Sequence, residues 1–152
     1  MNDNFDCTQF ITFSYEGTGN IDRIIRNTFR GSVFNVIRSD EMRPVKKRYF
    51  KHYLEEFFFE LAYDEFMGEF EDWDNENKPT PLLELFTEKL KGLFLLHPIK
   101  KAKIILVNFA EEGKTNDEFV YIERSEIYSG LFKMSRHNFG SWSDTLILEL
   151  SD

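Results

Sequence analysis

Polar and apolar positions change period several times along the chain, and each change marks an element. In residues 9–15, Phe13 and Tyr15 alternate with Thr12 and Ser14, the two-residue period of a strand. Gly17 and Gly19 then signal a turn, and Asn20 suits the cap of a helix whose apolar face is Ile21, Ile24, Ile25 and Phe29, stopped by Gly31. Residues 32–38, with Val33, Phe34, Val36 and Ile37, read as a second strand. From Pro44 to about Phe70 the spacing predicts a long helix. Phe50, Leu54, Phe57, Phe58 and Leu61 form one stripe, and Phe59, Tyr63, Phe66, Met67 and Phe70 a second. Apolar surface on over half its girth would make it the central packing element.

Residues 72–80 form a polar loop, after which Thr80 and Pro81 open an amphipathic helix over 82–95 that Pro98 ends. Residues 102–109 contain Ile104, Ile105, Leu106 and Val107, a run expected of a strand buried on both faces. A loop at 111–117 leads to a strand at 119–122 that could pair back as a hairpin. Residues 125–134 fit a short helix or a strand equally, 136–143 are a loop, and 145–150 a last strand. The expected class is α+β: a single domain over 1–152, with 1–7 as a polar lead that need not be ordered. An antiparallel or mixed sheet of about five strands would pack against a long aromatic-rich helix and one or two further helices.

Charge changes this picture. The chain has 27 acids and 19 bases, yet residues 52–77 contain ten of the acids and no Lys or Arg. That leaves 17 acids against 19 bases elsewhere, so one segment carries the whole net charge of −8. The acids are Glu55, Glu56, Glu60, Asp64, Glu65, Glu69, Glu71, Asp72, Asp74 and Glu76, interleaved with aromatics and Trp73. On a helix, Glu56, Glu60 and Asp64 would form an acidic ridge. Its charges would also run against the helix dipole, with Arg43, Lys46, Lys47, Arg48 and Lys51 at its start, at about 0.3–1 kcal/mol per charge. A solvated charged face accounts for such a ridge; so does a cationic partner that relieves the mild strain.

Other chemistry is weakly supported. A lone Cys7 allows no intrachain disulfide and no thiolate cluster. Asp72, Asp74 and Glu76 have the opening spacing of a calcium loop, but Asn77 stands where its glycine belongs and Leu83 where its bidentate glutamate belongs. Gly17 and Gly19 between a strand and a helix could cradle phosphate, but Asp22 replaces the third glycine of that pattern, and a tight turn with a capping Asn20 is the better account. His52, His97 and His137 lack metal-ligand spacing. His137 with Asp144 could serve acid–base chemistry, although loops collect such residues without it. The bases at 43–51 with Tyr49, Phe50 and Tyr53 could meet nucleic acid, but the acids one turn later would repel the same phosphates. No metal, cofactor or nucleic-acid ligand is expected, no membrane span is long enough, and no catalytic constellation stands out. The N-terminal residues lack a secretory pattern, which points to the cytoplasm.

In its general look (small, single-domain, acidic on one surface, aromatic-rich, without a catalytic signature) the chain resembles bacterial immunity proteins paired with toxins. The resemblance is spread over the chain, and no family residue can be carried onto it. It implies a non-enzymatic inhibitor, monomeric or a small homo-oligomer, that binds a cognate toxin, often a basic nuclease. The residue-level expectation is a partner-binding face of Glu56, Glu60, Asp64, Glu65, Glu69, Glu71, Asp72, Trp73, Asp74 and Glu76, complementary to a cationic protein. The alternatives are a structural subunit that shares its aromatic surface with a neighbour, or an acidic nucleic-acid mimic.

Overall fold

A computed structural model describes residues 7–38, 40, 55–63, 65, 69, 78, 80–108, 116–127 and 144–151. Within them lie six strands and two helices. In chain order these are β1 (Cys7–Tyr15), α1 (Ile21–Thr28), β2 (Asn35–Arg38), β3 (Phe57–Ala62), α2 (Pro81–Leu96), β4 (Ile99–Asn108), β5 (Asn116–Glu123) and β6 (Asp144–Ser151), with a 3-10 turn at Arg124–Glu126. The strands make one mixed sheet, ordered β2-β3-β1-β4-β6-β5, so the α+β class holds with six strands. Neighbours are antiparallel except β5 and β6, which run parallel.

Both helices form where their caps and spacing direct. Asn20 accepts the Arg23 N–H at 3.1 Å, and Ile21 and Ile25 turn inward. Gly31 leaves α1 at φ 78°, a conformation that costs glycine little. Thr80 accepts the Leu83 N–H at 3.3 Å, Pro81 fills the first helical position, and Leu83, Phe86, Leu90 and Leu93 line the buried face of α2. Lys89 of α2 donates to the last-turn carbonyl of Thr28 at 2.8 Å, placing a cation on the negative end of α1. The turn before α1 closes on Tyr15, whose hydroxyl accepts the Gly19 N–H at 3.1 Å. A Cβ on Gly17 would lie 2.4 Å from that hydroxyl, so the glycine there answers to a close approach.

Both helices pack on one face of the sheet. Ile11 of β1 lies between Phe59 of β3 and Ile104 of β4, and this row joins Phe13, Leu61 and Leu106 beneath Ile25, Phe29, Phe86 and Leu90. Phe86 sits 5.2 Å from Phe34 and 6.2 Å from Phe29 between ring centres. The other face is buried at its centre too: Phe10 stacks on Phe58 at 5.0 Å, and Ile105 pairs with Phe10 in register. β4 therefore buries Ile104, Ile105 and Leu106 in succession, as a strand covered on both sides must. A bulge sets two residues of β4 against Phe13, and one of them, Lys101, takes φ 55°.

Two expectations fail. Residues 57–62, assigned above to the middle of a long helix, are β3; residues 41–54 and most of 64–77 lie outside the described set. Three consecutive phenylalanines fit two helical stripes, but they fit equally a strand buried on both faces. Alternation here sends Phe57, Phe59 and Leu61 toward the helices and Phe58 and Glu60 away. Aromatic side chains lose rotamer freedom in a helix and pack well on a pleated surface, so tertiary burial favours the strand. The expected hairpin from β4 to the next strand also fails. β6 lies between them, pairing antiparallel with β4 and parallel with β5.

Candidate protein-interaction surface

As a strand, residues 57–62 leave Glu55 and Glu56 before one end and Glu65 and Glu69 beyond the other. The ridge expected from Glu56, Glu60 and Asp64 therefore does not form. Glu60 is only 3% exposed, flanked in register by Ile37 of β2 and Phe10 of β1, so it leaves the expected partner-binding face. Its burial follows from the two-residue period, which turns it to the same face as Phe58.

At the start of β3 the acids are matched from within. Glu55 lies 2.6 Å from the Lys103 ammonium, with both side chains largely buried. Its N–H donates to the Thr12 hydroxyl at 2.8 Å, and that hydroxyl donates to the Phe57 carbonyl at 2.7 Å. Glu56, exposed, accepts the Tyr15 N–H at 3.1 Å. Nearby, Asp22 meets Arg26 at 3.2 Å and Arg38 at 3.8 Å, and Arg38 also meets Asp40 at 3.3 Å. These groups surround a cleft of about 300 Å³ that includes Asp22, Arg38, Asp40, Glu55, Glu56 and Phe57. Among the described residues, Arg38 in the cleft, Arg26 beside Asp22 and Lys103 beside Glu55 set three cations against these four carboxylates.

Beyond the far end of β3 the acids meet hydroxyls. The Tyr63 hydroxyl donates to Glu65 at 3.5 Å, a long contact, and Glu69 accepts from the Thr80 hydroxyl that also caps α2. Glu69 thus sits at the positive end of a helix dipole, a favourable place for a carboxylate. Partial burial, followed by the charges of Glu65 and then Glu69, holds the Tyr63 phenol above its ordinary value of 10.0. Among the described residues no Lys or Arg pairs with Glu65 or Glu69.

Asp64, Glu71, Asp72, Trp73, Asp74 and Glu76 lie outside the described residues, as do the cluster at 43–51, His52 and His137. His97 caps the C-terminus of α2, and its N–H donates to Leu93. Among the described residues no group of three His, Cys, Asp or Glu could hold a metal ion, and no helix is long and apolar enough to cross a membrane. Reading the sequence alone missed the Asp22–Arg38–Asp40 cluster and the place of Tyr63. The four-residue spacing of Asp22 and Arg26 was a readable signal for one pair; nothing local links either residue to Arg38. No family model, no curated protein and no solved structure matches this chain.

Proposed function

We propose that the protein is a non-enzymatic inhibitor of the immunity type, acting in the cytoplasm by covering the active groove of a basic protein toxin. The observation that carries this reading is the segregation of charge: ten acids and no Lys or Arg in residues 52–77, in a chain otherwise slightly basic. Internal pairing removes Glu55 from the exposed set and burial removes Glu60. Glu65 and Glu69 remain without a cationic partner among the described residues, and Asp64, Glu71, Asp72, Trp73, Asp74 and Glu76 continue the same run. Glu56, across the strand beside the matched cleft, falls to the margin of the surface. A groove that holds phosphates is cationic, so a preformed anionic surface speeds encounter with it, and Trp73 supplies an aromatic anchor of the kind that dominates such interfaces.

The product of the neighbouring gene provides the test. Its expression should arrest a host that this chain rescues, and the two purified proteins should associate fast at low salt. Replacing Glu65→Gln, Asp72→Asn and Asp74→Asn together, with Glu69 kept because it supports the α2 cap, should slow association about tenfold and flatten its salt dependence. Fast, salt-sensitive association that survived the triple change would remove the electrostatic part of the proposal. A cationic target that binds DNA but harms no host would instead favour the nucleic-acid mimic.

A further inference from the structure

Every residue of α2 belongs to the described set, and its outward side is not simply polar. Leu83, Phe86, Leu90 and Leu93 are buried against the sheet. Opposite them, helical spacing places Pro81, Leu85, Glu88, Gly92 and Leu95 in one line, alternately four and three residues apart. That alternation is the seam of a coiled coil, and Leu96 borders it. Leu95 is 85% exposed, Leu96 74% and Leu85 41%, so three of the five large apolar side chains exposed among the described residues share this face. Gly92 lies within the same seam. A Cβ there would meet nothing within 4 Å, so no contact inside the chain calls for a glycine, although glycine weakens a helix interior relative to alanine. The close approach of a second helix would call for one.

The charges along this face select the helix that fits it. Glu84, Glu88 and Lys91 are exposed and, among the described residues, enter no ion pair. A second copy of α2 laid parallel and in register would set Glu88 against Glu88. Laid antiparallel about Leu90, it pairs position 85 with 95, 88 with 92 and 84 with 96. Leucine then meets leucine at both ends of the overlap. The stem of Glu88 lies over Gly92 of the second copy, and its carboxylate comes within reach of Lys91 there. Two-fold symmetry makes each of these contacts occur twice, and the two helix dipoles run in opposite directions. We infer that α2 is a dimerisation helix, whose outward seam packs antiparallel on the same seam of a second copy of this chain. The dimer uses none of the residues of the proposed inhibitory surface and does not depend on it.

Light scattering of the full chain should show a dimer that grows in with concentration. In a Cys7→Ser background, Leu85→Cys with Leu95→Cys should give a covalent dimer on mild oxidation. The two positions lie about 15 Å apart along one helix and cannot bridge within a chain. Leu85→Cys alone, whose copies would stand equally far apart in the dimer, should not cross-link. Glu88→Lys should weaken the dimer about tenfold, and adding Lys91→Glu should restore most of it. A chain that stays monomeric up to millimolar concentration, cross-linking by Leu85→Cys alone, or a charge swap that restores nothing would overturn the inference. A monomer that instead binds vesicles of anionic lipid would assign the exposed leucines to a membrane surface and overturn it as well. The charge-swap series decides the matter if the cysteine variants do not fold. Neutralising Glu65, Asp72 and Asp74 should leave the dimer unchanged, so this helix face and the inhibitory surface succeed or fail separately.

Discussion

At the start of β3, Glu55 lies against Lys103, and Asp22 and Asp40 share Arg38; past its far end, Glu65 and Glu69 meet the hydroxyls of Tyr63 and Thr80. The same stretch of sequence supplies Glu55 and Glu69, and both are carboxylates among aromatic residues. The first end has been neutralised from within, by cations brought from β2, α1 and β4. At the second, no Lys or Arg pairs with Glu65 or Glu69 among the described residues. A run of acids is therefore not one surface: its meaning depends on which acids the rest of the chain can reach. In the proposed function, the acids without an internal cation are the ones that attract a cation from outside.

The largest effect should come from breaking the matched end. Lys103→Met would strip the counter-charge from Glu55, whose side chain is 21% exposed. The expected loss is about 1–3 kcal/mol in urea unfolding. Adding Glu55→Gln to that variant should recover part of it, and a negligible loss in Lys103→Met would mean the pairing contributes nothing. Thr80→Val comes next, since it removes both the α2 cap and the donor to Glu69; it should cost about 1 kcal/mol, mostly restored in Thr80→Ser.

The smallest effect is a titration that sharpens the contrast. Because the folded state holds the Tyr63 phenol above 10.0, it favours the neutral ring. That contribution to stability is fully present below the unfolded value of 10.0 and is lost as pH rises through the folded value. Replacing Glu65→Gln and Glu69→Gln together should lower the Tyr63 value, followed by NMR of ring-labelled tyrosine, and should soften the alkaline fall in stability. Tyr63→Phe provides the control. A Tyr63 titration indifferent to both substitutions would show that neither carboxylate acts on the ring.

Where the cues were local, the sequence foretold the structure. Asn20 with the isoleucine face of α1, Thr80-Pro81 before α2, and the alternation of β1 each act within a few residues, and each element formed close to its expected place. The three phenylalanines at 57–59 offered no such cue, because helix stripes and a two-faced strand make the same apolar run. Strand order was equally hidden. β5 lies parallel to β6 and not beside β4, a choice made by contacts distant in sequence. The proposed surface was half legible: the concentration of acids could be counted, but not their pairing.

By itself the sequence determined that the net charge resides in residues 52–77, that the chain is rich in phenylalanine, and that capped helices begin after Asn20 and Thr80. Tertiary structure alone decided that Glu60 turns inward beside Phe10 while Lys103, 48 residues from Glu55 along the chain, closes on it. The reason is physical. Local propensity and periodicity act over one or two turns, whereas burial and charge pairing are settled only when distant segments are brought into one sheet.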